Sequence, residues 1–376
     1  MTKLSIIIVN FNARFFLQSC IESILESENL KNFEIIVVDN NSSDGSCTML
    51  ELKFPEVKLI PNKKNVGFST ANNMGVNQAQ GTYVLILNPD TILDRLTLSK
   101  VISFYENTEN CGAVGVRFVD GSGKFLPECK RNFPSIGVAF QKLVGLSKAY
   151  YASEIDEDEN SRVAILSGAF LFVKRERYLE IGGFDEDFFM YGEDIDLCYR
   201  FSMAGYRNYY LGASSVIHFK GQSTPRDRNY IKNFYGAFRI FYKKHFRLNA
   251  LLDIFIHLSI QAMIFLKSFF VRSRKKTSTD FANYIYAGDR EEVFNKLKTL
   301  YPNSEGYRCK DLKMNELSSD RLFIDTGSLG YAEVLNHMKD KGATTEQVRI
   351  ISKDGTYFLG SDDASSMGEV YSFSQA

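Results

Sequence analysis

The sequence predicts an α/β fold whose core is a mainly parallel β-sheet. Over the first 120 residues, short runs rich in Ile, Val and Leu alternate with segments whose apolar residues recur at helical spacing. Polar turn residues follow the apolar runs, as in "VVDNNSSDGS". Strands separated by single helices require right-handed crossovers, so this pattern indicates an α/β sheet of the nucleotide-binding type. The hydrophobic fraction of 44% is ordinary for a globular protein.

The elements of this sheet follow one another in a regular order. The predicted strands are residues 4–9, 34–39, 57–62, 83–88 and 113–119. Helices are predicted at 13–27, 69–79 and 95–107, and the polar segment 40–46 carries capping residues for one more helix.

Beyond residue 120 the pattern is less regular. Residues 122–160 show few clear periods and an acidic run, "EIDEDEN", so we expect a solvated loop or a mobile flap there. Residues 162–189 predict a strand, a short helix and a turn. A capped helix then runs to Gly205, because glycine is favoured just past a helix end. One more strand is predicted at 214–219.

The charge distribution divides the rest of the chain. Residues 225–276 contain twelve Lys or Arg against two acidic residues, whereas residues 277–376 contain eleven against sixteen. A basic block of this kind indicates a face that meets an anionic partner. We therefore predict a nucleotide-binding domain at 1–224, a basic aromatic helical segment at 225–276, and a small α/β domain of unknown role at 277–376.

The stretch 251–271 is long enough to cross a bilayer. It carries four polar or charged side chains, Asp253, His257, Gln261 and Lys267. A charge near the bilayer centre costs roughly 2.5–3.5 kcal/mol on insertion scales. A helix lying in the membrane interface, with the basic residues 272–276 on lipid headgroups, therefore fits better than a true span. A helix packed against protein is the other alternative.

Bulk composition argues against several classes of protein. The 45 Lys and Arg balance the 45 Asp and Glu, so nothing in the total charge indicates a nucleic-acid partner. The six cysteines are scattered without a CxxC pair, which is typical of reduced thiols in a cytosolic chain. The apolar run at the N-terminus is too short for a signal peptide and predicts a first strand instead.

Polar side chains stand where buried strands end or a helix begins. Asp39 follows "IIVV", Asp90 follows "LILNP", His218 follows "SVI", and Glu193 and Asp194 open a helix. Each has a simpler explanation, namely a helix cap, an Asn-Pro-Asp turn, a structural histidine, or charges that complement a helix dipole. Because parallel strands end at one edge of a sheet, the set together indicates a ligand site.

These residue types suit a nucleotide diphosphate bound with a divalent cation. A carboxylate such as Asp39 can bind a base or a ribose hydroxyl. Asp90 offers a hard oxygen ligand for Mg²⁺ or Mn²⁺, and His218 would complete the shell of Mn²⁺. Asp194, kept ionised by its place at a helix start, would accept a proton from an acceptor hydroxyl. From the residues alone, the prediction stops at metal-assisted nucleotide chemistry with a general base.

Five segments, in order, resemble the family-2 inverting glycosyltransferases, especially bacterial rhamnosyltransferase-like members. The segments are "SIIIVNFNARFFLQSCIESIL", "VVDNNSSDGS", "NVGFSTANNMGV", "YVLILNPDTIL" and "GAFLFVKRERYLEIGGFDEDFFMYGEDIDLCYRFSMAGYR". The resemblance spans about residues 3–222. It implies the GT-A nucleotide-diphospho-sugar transferase fold, with a Rossmann-like mixed sheet. On this chain, basic amphipathic helices and a small C-terminal α/β domain would follow.

The resemblance also implies roles for single residues. It makes Asp39 a nucleoside ligand, Asp90 the metal-binding last residue of a DxD-type motif, and Asp194 the catalytic base. His218, in "HFKGQS", would lie near the diphosphate and its metal. Glu193 is assigned to acceptor binding or to positioning.

The remaining members of the implied nucleotide-sugar pocket are Asn10, Asn65, Gly67 and Asn88. Gly67 is expected to allow close approach of the backbone to the nucleotide, with a plain strand-to-helix turn as the alternative. Asn88 stands at the first position of the DxD-type motif, so one of its two carboxylates is missing. A neutral side chain there removes one charge that would attract the cation.

The implied activity is a single in-line displacement that moves a sugar onto a glycan or polyprenyl-linked acceptor in cell-envelope polysaccharide synthesis. The best candidate donor is dTDP-rhamnose. No covalent carboxylate nucleophile is required. We expect a cytoplasmic protein associated peripherally with the anionic inner face of the plasma membrane.

Two alternatives belong to other classes of protein. One is a non-catalytic sugar-nucleotide-binding subunit that recruits partners through its C-terminal domain. The other is a nucleotidyltransferase, for which we would expect a Gly-rich basic signature near the N-terminus; "SIIIVNFNARF" lacks one.

Overall fold

Two large sheets organise the chain, which we call the N-terminal sheet and the C-terminal sheet. The computed structural model describes residues 2–133, 150–220, 228–246, 281–312, 319–341, 346–361 and 368–373, together with Leu258 and Gln261.

The N-terminal sheet is mixed. The strands of this part of the chain are β1 (Leu4–Asn10), β2 (Phe33–Asp39), β3 (Lys58–Pro61), β4 (Tyr83–Leu87), β5 (Thr91–Leu93), β6 (Cys111–Val119), β7 (Lys130–Arg131), β8 (Ser161–Val163), β9 (Ile165–Leu166), β10 (Phe170–Lys174) and β11 (Arg207–His218). The sheet order is β3-β2-β1-β4-β10-β6-β11-β5, with β8 paired to β11. β10 runs antiparallel to both of its neighbours. β7 and β9 form a separate two-stranded ribbon.

Helices connect these strands and cover the sheet. They are α1 (Arg14–Leu25), α2 (Ser46–Lys53), α3 (Phe68–Gln78), α4 (Thr97–Glu106), α5 (Arg175–Glu180) and α6 (Glu193–Met203), with a 3₁₀ turn at Pro127–Cys129. The five strands and three helices predicted before residue 120 are confirmed to within about two residues. Continuous apolar runs were sufficient there for β1, β2, β4 and β6, which are largely buried. The short strand β3 is partly exposed, and the three-residue strand β5 was not predicted.

The strand register brings polar residues to one edge of the sheet. Asn10 pairs with Asp39 in the parallel pair of β1 and β2. β4 runs parallel to β1 and ends at Leu87, so Asp90 comes just beyond the same edge. His218, the last residue of β11, pairs with Thr91 in β5 and so reaches the same loop from the other side.

Three predictions beyond residue 120 were wrong in part. The single strand predicted at the start of 162–189 is three short strands, because the chain changes partner from β11 to β7 to β4 and β6. The strand predicted at 214–219 is the end of the twelve-residue β11. The segment 122–160 is not a solvated loop throughout, since Arg131 and Tyr150 are buried. Residues 134–149 lie outside the described part of the chain.

Helix α7 (Arg228–His245) is the described part of the basic aromatic segment. Its residues Ala237, Phe241 and Tyr242 belong to the hydrophobic core of the N-terminal sheet. His245 Nε2 lies 2.6 Å from Asp196 Oδ1 on α6, which fixes the end of α7 to that helix.

The predicted interfacial stretch 251–271 lies outside the described residues, apart from Leu258 and Gln261. Within the described ranges, no helix combines the length and the apolar character that a membrane crossing needs.

The C-terminal sheet has four parallel strands followed by an antiparallel pair. Its strands are β12 (Asn283–Ala287), β13 (Glu305–Cys309), β14 (Arg321–Asp325), β15 (Gln347–Ile351), β16 (Tyr357–Gly360) and β17 (Glu369–Ser372), in the order β13-β12-β14-β15-β16-β17. Its helices are α8 (Glu291–Leu300), α9 (Thr326–Leu329) and α10 (Tyr331–Lys341). The α/β character predicted for this part of the chain is confirmed.

The "GSLG" turn of this sheet is held by the chain's own carboxylate. Gly327 N–H donates to Asp325 Oδ1 at 2.9 Å. Arg290 Nε donates to Asp325 Oδ2 at 2.7 Å. Because Asp325 already fills the place that an anion would take, the geometry favours a structural loop over a phosphate-binding turn.

The C-terminal sheet packs directly on helix α1 of the N-terminal sheet. One apolar cluster joins Phe16 and Ile217 to Ile324 and Leu359. Tyr331 Oη donates to Glu22 Oε2 at 2.7 Å, and burial raises the pKa of that carboxyl. The two sheets therefore share buried surface, and the C-terminal sheet is packed against the N-terminal part of the chain.

Helix α3 packs on β1 so closely that only glycine fits at Gly75. A Cβ atom at Gly75 would lie 2.4 Å from Cγ2 of Ile7. We expect Gly75→Ala to lower the free energy of unfolding by about 1–3 kcal/mol through overpacking. Urea unfolding measures this. The control is Gly236→Ala in α7, where a Cβ meets nothing within 4 Å; alanine there should be neutral or stabilising by up to about 1 kcal/mol. Equal losses in both variants would contradict the packing argument.

Candidate functional site

The first group of predicted site residues lies at the carboxyl ends of β1 and β2. Asn10 and Asp39 are both buried, and Asn10 Nδ2 donates to Asp39 Oδ1 at 2.8 Å. Asp39 Oδ2 accepts a hydrogen bond from the backbone N–H of Ser42 at 2.8 Å. Each carboxylate oxygen retains a lone pair beyond these bonds, because an oxygen of this kind can accept about two. The predicted role of Asp39 as a nucleoside ligand requires such remaining acceptor capacity.

Asn65 and Gly67 form the turn that begins α3. Gly67 N–H donates to Asn65 Oδ1 at 2.9 Å. Gly67 has a φ of +89°, and a Cβ there would lie 2.6 Å from the carbonyl oxygen of Phe189. The sequence-based expectation was that glycine allows approach of the backbone to the nucleotide. In the structure, the close approach that requires glycine is made by the backbone of Phe189.

Asp90 and His218 meet at the next strand ends. Nε2 of His218 lies 3.4 Å from Asp90 Oδ1 and 3.5 Å from Asn88 Nδ2. The relative exposures of Asp90 and His218 are only 4% and 8%. The two residues that the sequence predicted as metal ligands are therefore neighbours, although 127 residues of chain separate them.

This pair has the donor set of a divalent-cation site that a ligand would complete. A carboxylate oxygen and an imidazole nitrogen suit Mn²⁺, and a carboxylate with substrate phosphates suits Mg²⁺. His218 Nδ1 is buried and has no hydrogen-bond partner among the described residues. The described part of the chain contains no group of three or more His, Cys, Asp or Glu side chains that could hold a metal. A cation here would therefore take its remaining ligands from a diphosphate and water.

Glu193 and Asp194 begin α6 after Gly192, which turns the chain with a φ of +85°. Both side chains are buried, but their environments differ. Asp194 Oδ2 accepts the backbone N–H of Gly168 at 3.1 Å, and its Oδ1 accepts that of Ile195 at 2.8 Å. Glu193 Oε2 has no hydrogen-bond partner among the described residues. Backbone N–H groups thus hold the Asp194 carboxylate in place, whereas the surroundings disfavour the charged form of Glu193.

The sequence analysis missed Arg131, which contacts Asp194 directly. Arg131 Nη2 donates to Asp194 Oδ2 at 2.5 Å and to the carbonyl oxygen of Leu166 at 2.7 Å. Burial acts to lower the pKa of Arg131, but the Asp194 carboxylate more than offsets this, so the net pKa is raised. Arg131 lies in the aperiodic segment 122–160, where no sequence signal indicated burial. Only the pairing of β7 with β9 brings it to α6.

The buried acid Glu193 predicts a pH-dependent stability. Burial, followed by the charge of Asp194, raises the pKa of Glu193 from 4.5 to about 8. The folded protein keeps this proton when the unfolded chain has lost it, so its contribution to stability is lost as pH rises from about 4.5 towards 8. We expect Glu193→Gln, which mimics the protonated acid, to raise the melting temperature relative to wild type more at about pH 8.5 than at about pH 5. Thermal unfolding at both pH values measures the difference; a difference that does not change with pH would contradict the prediction.

A cavity of about 70 Å³ lies beside the acid pair and is closed on its other side by α7. Its polar wall is formed by Arg131, Glu193 and Asp194. Its apolar wall is formed by Tyr191, Phe234, Ala237, Phe238 and Phe241. The sequence predicted a membrane-facing role for the whole segment 225–276. In the structure, the described helix of that segment also forms a wall of the candidate site.

The two residues just before β10, Gly168 and Ala169, lie between the acid pair and the residues at the strand ends. A Cβ atom on Gly168 would lie 3.5 Å from both Asp194 Cβ and Phe68 Cε1, the latter on the first residue of α3. The neighbouring Ala169 carbonyl oxygen accepts the Asn88 N–H at 3.0 Å. The predicted residues therefore gather along one edge of the N-terminal sheet.

A mixed α/β sheet with carboxylates along the ends of its parallel strands is the arrangement of a GT-A nucleotide-diphospho-sugar transferase. The chain belongs to glycosyltransferase family 2. The profile described as "Glycosyl transferase family 2" matches residues 5–182. The rhamnosyltransferase WbbL of Escherichia coli K12 is 31% identical over 194 residues, which cover 49% of this chain and 70% of that protein. The predicted family and fold are thereby confirmed.

The chain is similar to other glycosyltransferases as well. The N-acetylglucosaminyl-diphospho-decaprenol L-rhamnosyltransferase of Mycobacterium tuberculosis is 28% identical over 211 residues, covering 51% of this chain and 68% of that protein. Among solved structures, the mannosyltransferase PcManGT of Pyrobaculum calidifontis, in complex with GDP-Man and Mn²⁺, matches with a TM-score of 0.47 and 17% identity, covering 72% of this chain and 76% of that chain.

Proposed function

We propose that this protein is an inverting rhamnosyltransferase that uses dTDP-rhamnose and acts on a polyprenyl-linked glycan. The observation that carries the proposal is the gathering of Asp39, Asp90, His218 and Asp194 along one edge of the N-terminal sheet. The similarity to two rhamnosyltransferases supports the choice of sugar, and the diphospho-decaprenol named in the mycobacterial relative supports a lipid-linked acceptor.

In this proposal, transfer is a single displacement at the anomeric carbon of the donor sugar. The acceptor oxygen forms a bond to that carbon as the bond from the carbon to the diphosphate oxygen breaks with its electron pair. The acceptor's proton passes to a carboxylate oxygen of Asp194. No bond between enzyme and sugar forms, so the configuration at the anomeric carbon inverts.

Asp90 and His218 would hold a divalent cation, Mn²⁺ or Mg²⁺, on the donor diphosphate. A cation bound there supplies charge neutralisation for the departing nucleoside diphosphate. Asn88 contributes no charge, so the affinity for the cation depends on Asp90 and on the ligand. Asn10, Asp39, Asn65 and Gly67 would line the nucleotide side of the pocket.

The cavity beside the acid pair would receive the hydroxyl end of the acceptor. Its aromatic wall on α7 suits the apolar face of a sugar ring, and its polar wall presents Asp194 and Glu193. Burial raises the pKa of Glu193 to about 8, and in its protonated form Glu193 would donate a hydrogen bond to an acceptor oxygen.

Association with an anionic membrane surface is the part of the proposal that depends on residues 225–276. The excess of ten basic residues in this segment supports it, as does the lipid-linked acceptor of the mycobacterial relative. Flotation of the full chain with vesicles containing phosphatidylglycerol tests it. Binding that survives deletion of residues 250–276 would remove this segment as the membrane contact.

Two observations favour a second function, that of a non-catalytic sugar-nucleotide-binding subunit. Asn88 replaces one of the two acids of the DxD-type motif, and the C-terminal sheet shares buried surface with the N-terminal sheet. Ligand binding at the edge of the N-terminal sheet would then be conveyed to a partner on the C-terminal sheet. Turnover by the isolated protein would exclude this function.

The deciding experiment is calorimetric binding of dTDP-rhamnose, UDP-glucose, UDP-N-acetylglucosamine and GDP-mannose, each with and without Mn²⁺. We expect dTDP-rhamnose to bind most tightly and only with the cation. A short-chain N-acetylglucosaminyl-diphospho-prenol then serves as acceptor in a transfer assay, and the anomeric configuration of the product is read by NMR. Tight binding of another donor, or retention of configuration, would overturn the corresponding part of the proposal.

A further inference from the structure

We propose that Arg131 is a positioning residue for the transfer reaction. Its guanidinium group holds the carboxylate of Asp194 in one orientation and in the charged form that accepts the acceptor's proton. This inference rests on the proposed function, in which Asp194 is the base.

The geometry around Arg131 is that of a fixed support. Arg131 Nη2 bonds both to Asp194 Oδ2 at 2.5 Å and to the Leu166 carbonyl oxygen at 2.7 Å, and Nη1 lies 3.3 Å from Tyr150 Oη. Its relative exposure is 8%. A guanidinium group anchored on strand β9 and on a buried tyrosine cannot follow Asp194 if that side chain rotates. The carboxylate is therefore held by the ribbon of β7 and β9.

A residue close to the ribbon of β7 and β9 provides a second hydrogen-bond donor to Asp194 Oδ2. Gly168, two residues after β9, donates its N–H to Asp194 Oδ2 at 3.1 Å. Among the described residues, the donor to Asp194 Oδ1 is the N–H of Ile195, the next residue of the same helix. Two donors on Oδ2 and one on Oδ1 leave Oδ1 as the oxygen with acceptor capacity for a proton.

Arg131 places a positive charge beside Asp194, among acidic neighbours. Its own helix contributes two acids, Glu193 and Asp196, and the thiol of Cys198; Tyr150 lies behind Arg131. Asp196 is itself paired with Arg200 and His245. Arg131 is the basic side chain that touches Asp194 in the described part of the chain. Without it, a buried carboxylate beside two other acids would retain its proton to higher pH.

The test is the pH dependence of kcat for transfer from dTDP-rhamnose to the short-chain N-acetylglucosaminyl-diphospho-prenol. For Arg131→Gln we expect kcat at its pH optimum to fall about 10- to 100-fold, as it does when a support of a functional side chain is lost. We also expect the acidic limb of the profile to move up by about one pH unit or more. The Kd of dTDP-rhamnose with Mn²⁺, measured by calorimetry, should not change.

Arg131→Lys distinguishes the effect of the positive charge of Arg131 from the effect of its contact geometry. Lysine keeps the positive charge but cannot make the forked contacts to Asp194 and Leu166. We expect its acidic limb to stay near that of wild type while kcat falls at least several-fold. If Arg131→Gln does not fold, Arg131→Lys still tests the positioning role. A wild-type kcat in Arg131→Lys would overturn that role.

Arg117→Gln is the matched control. Arg117 is also partly buried and paired with an acid, since its Nη2 lies 2.8 Å from Glu157 Oε2, but it does not contact Asp194. Its loss should leave the pH profile unchanged. An acidic limb of Arg131→Gln that coincides with wild type, or an equal shift in Arg117→Gln, would overturn the proposal. Wild-type protein that binds no donor and shows no turnover would overturn the proposed function itself, which is a distinguishable result.

Discussion

Asp194→Asn is expected to abolish transfer while leaving donor binding intact. Asparagine keeps the shape of the side chain and an acceptor oxygen for the N–H of Gly168 or Ile195, but it cannot take a proton. A general base contributes roughly 10²- to 10⁴-fold to a rate, so kcat should fall by about 10³-fold. The measurement pairs the transfer assay from dTDP-rhamnose with calorimetry of dTDP-rhamnose and Mn²⁺, and Kd should change less than about twofold.

Asp187→Asn is the control for this substitution. Asp187 is an acid six residues before the α6 start, its side chain is 70% exposed, and it pairs with Lys244 on α7. Loss of an exposed ion pair of this kind has little effect on stability, and we expect wild-type turnover. An Asp194→Asn variant that retains more than about a tenth of wild-type kcat would remove Asp194 as the base, since general-base catalysis is worth more than that. Glu193, the other acid in the cavity, would then be the next candidate.

Asp90→Asn is expected to remove the Mn²⁺ dependence of donor binding without unfolding the protein. Asparagine retains the turn chemistry of the Asn-Pro-Asp segment, so the turn explanation predicts a nearly normal protein. It removes the charge that a cation needs, so the metal explanation predicts that the Kd of dTDP-rhamnose with Mn²⁺ rises at least about tenfold. Calorimetry with and without Mn²⁺, together with a melting curve, distinguishes the turn explanation from the metal explanation.

His218→Gln and Asp94→Ala complete this series. His218→Gln should weaken Mn²⁺-dependent binding but leave Mg²⁺-dependent binding closer to wild type, because an imidazole ligand favours Mn²⁺. Asp94 lies just after β5, where its Oδ1 accepts the N–H of Leu96 at 2.9 Å, so its loss affects a turn only. Donor affinity that falls equally in the Asp94→Ala and Asp90→Asn variants would argue for a general loss of local structure.

The sequence by itself determined the N-terminal sheet up to residue 120, except for the three-residue strand β5. The strands β1, β2, β4 and β6 are largely buried, so their apolar runs are continuous, and the helices between them show clear periods. The candidate site residues that follow strands could be predicted for the same reason. Once Asp39 and Asp90 stand just after parallel strands, the topology alone requires them to share an edge.

Only the tertiary structure decided how the later residues join that edge. Arg131 has no periodic context, and its burial depends on the pairing of β7 with β9, which are two residues each. Likewise, α7 is amphipathic, and the sequence could not tell whether its apolar face meets lipid or the start of α6. Contacts between residues far apart in the chain have no local signature, because local patterns report which face is apolar and not what covers it. That is why the sequence predicted the acid pair at the start of α6, whereas its support by Arg131 and its apolar wall on α7 emerged only from the packing of the folded chain.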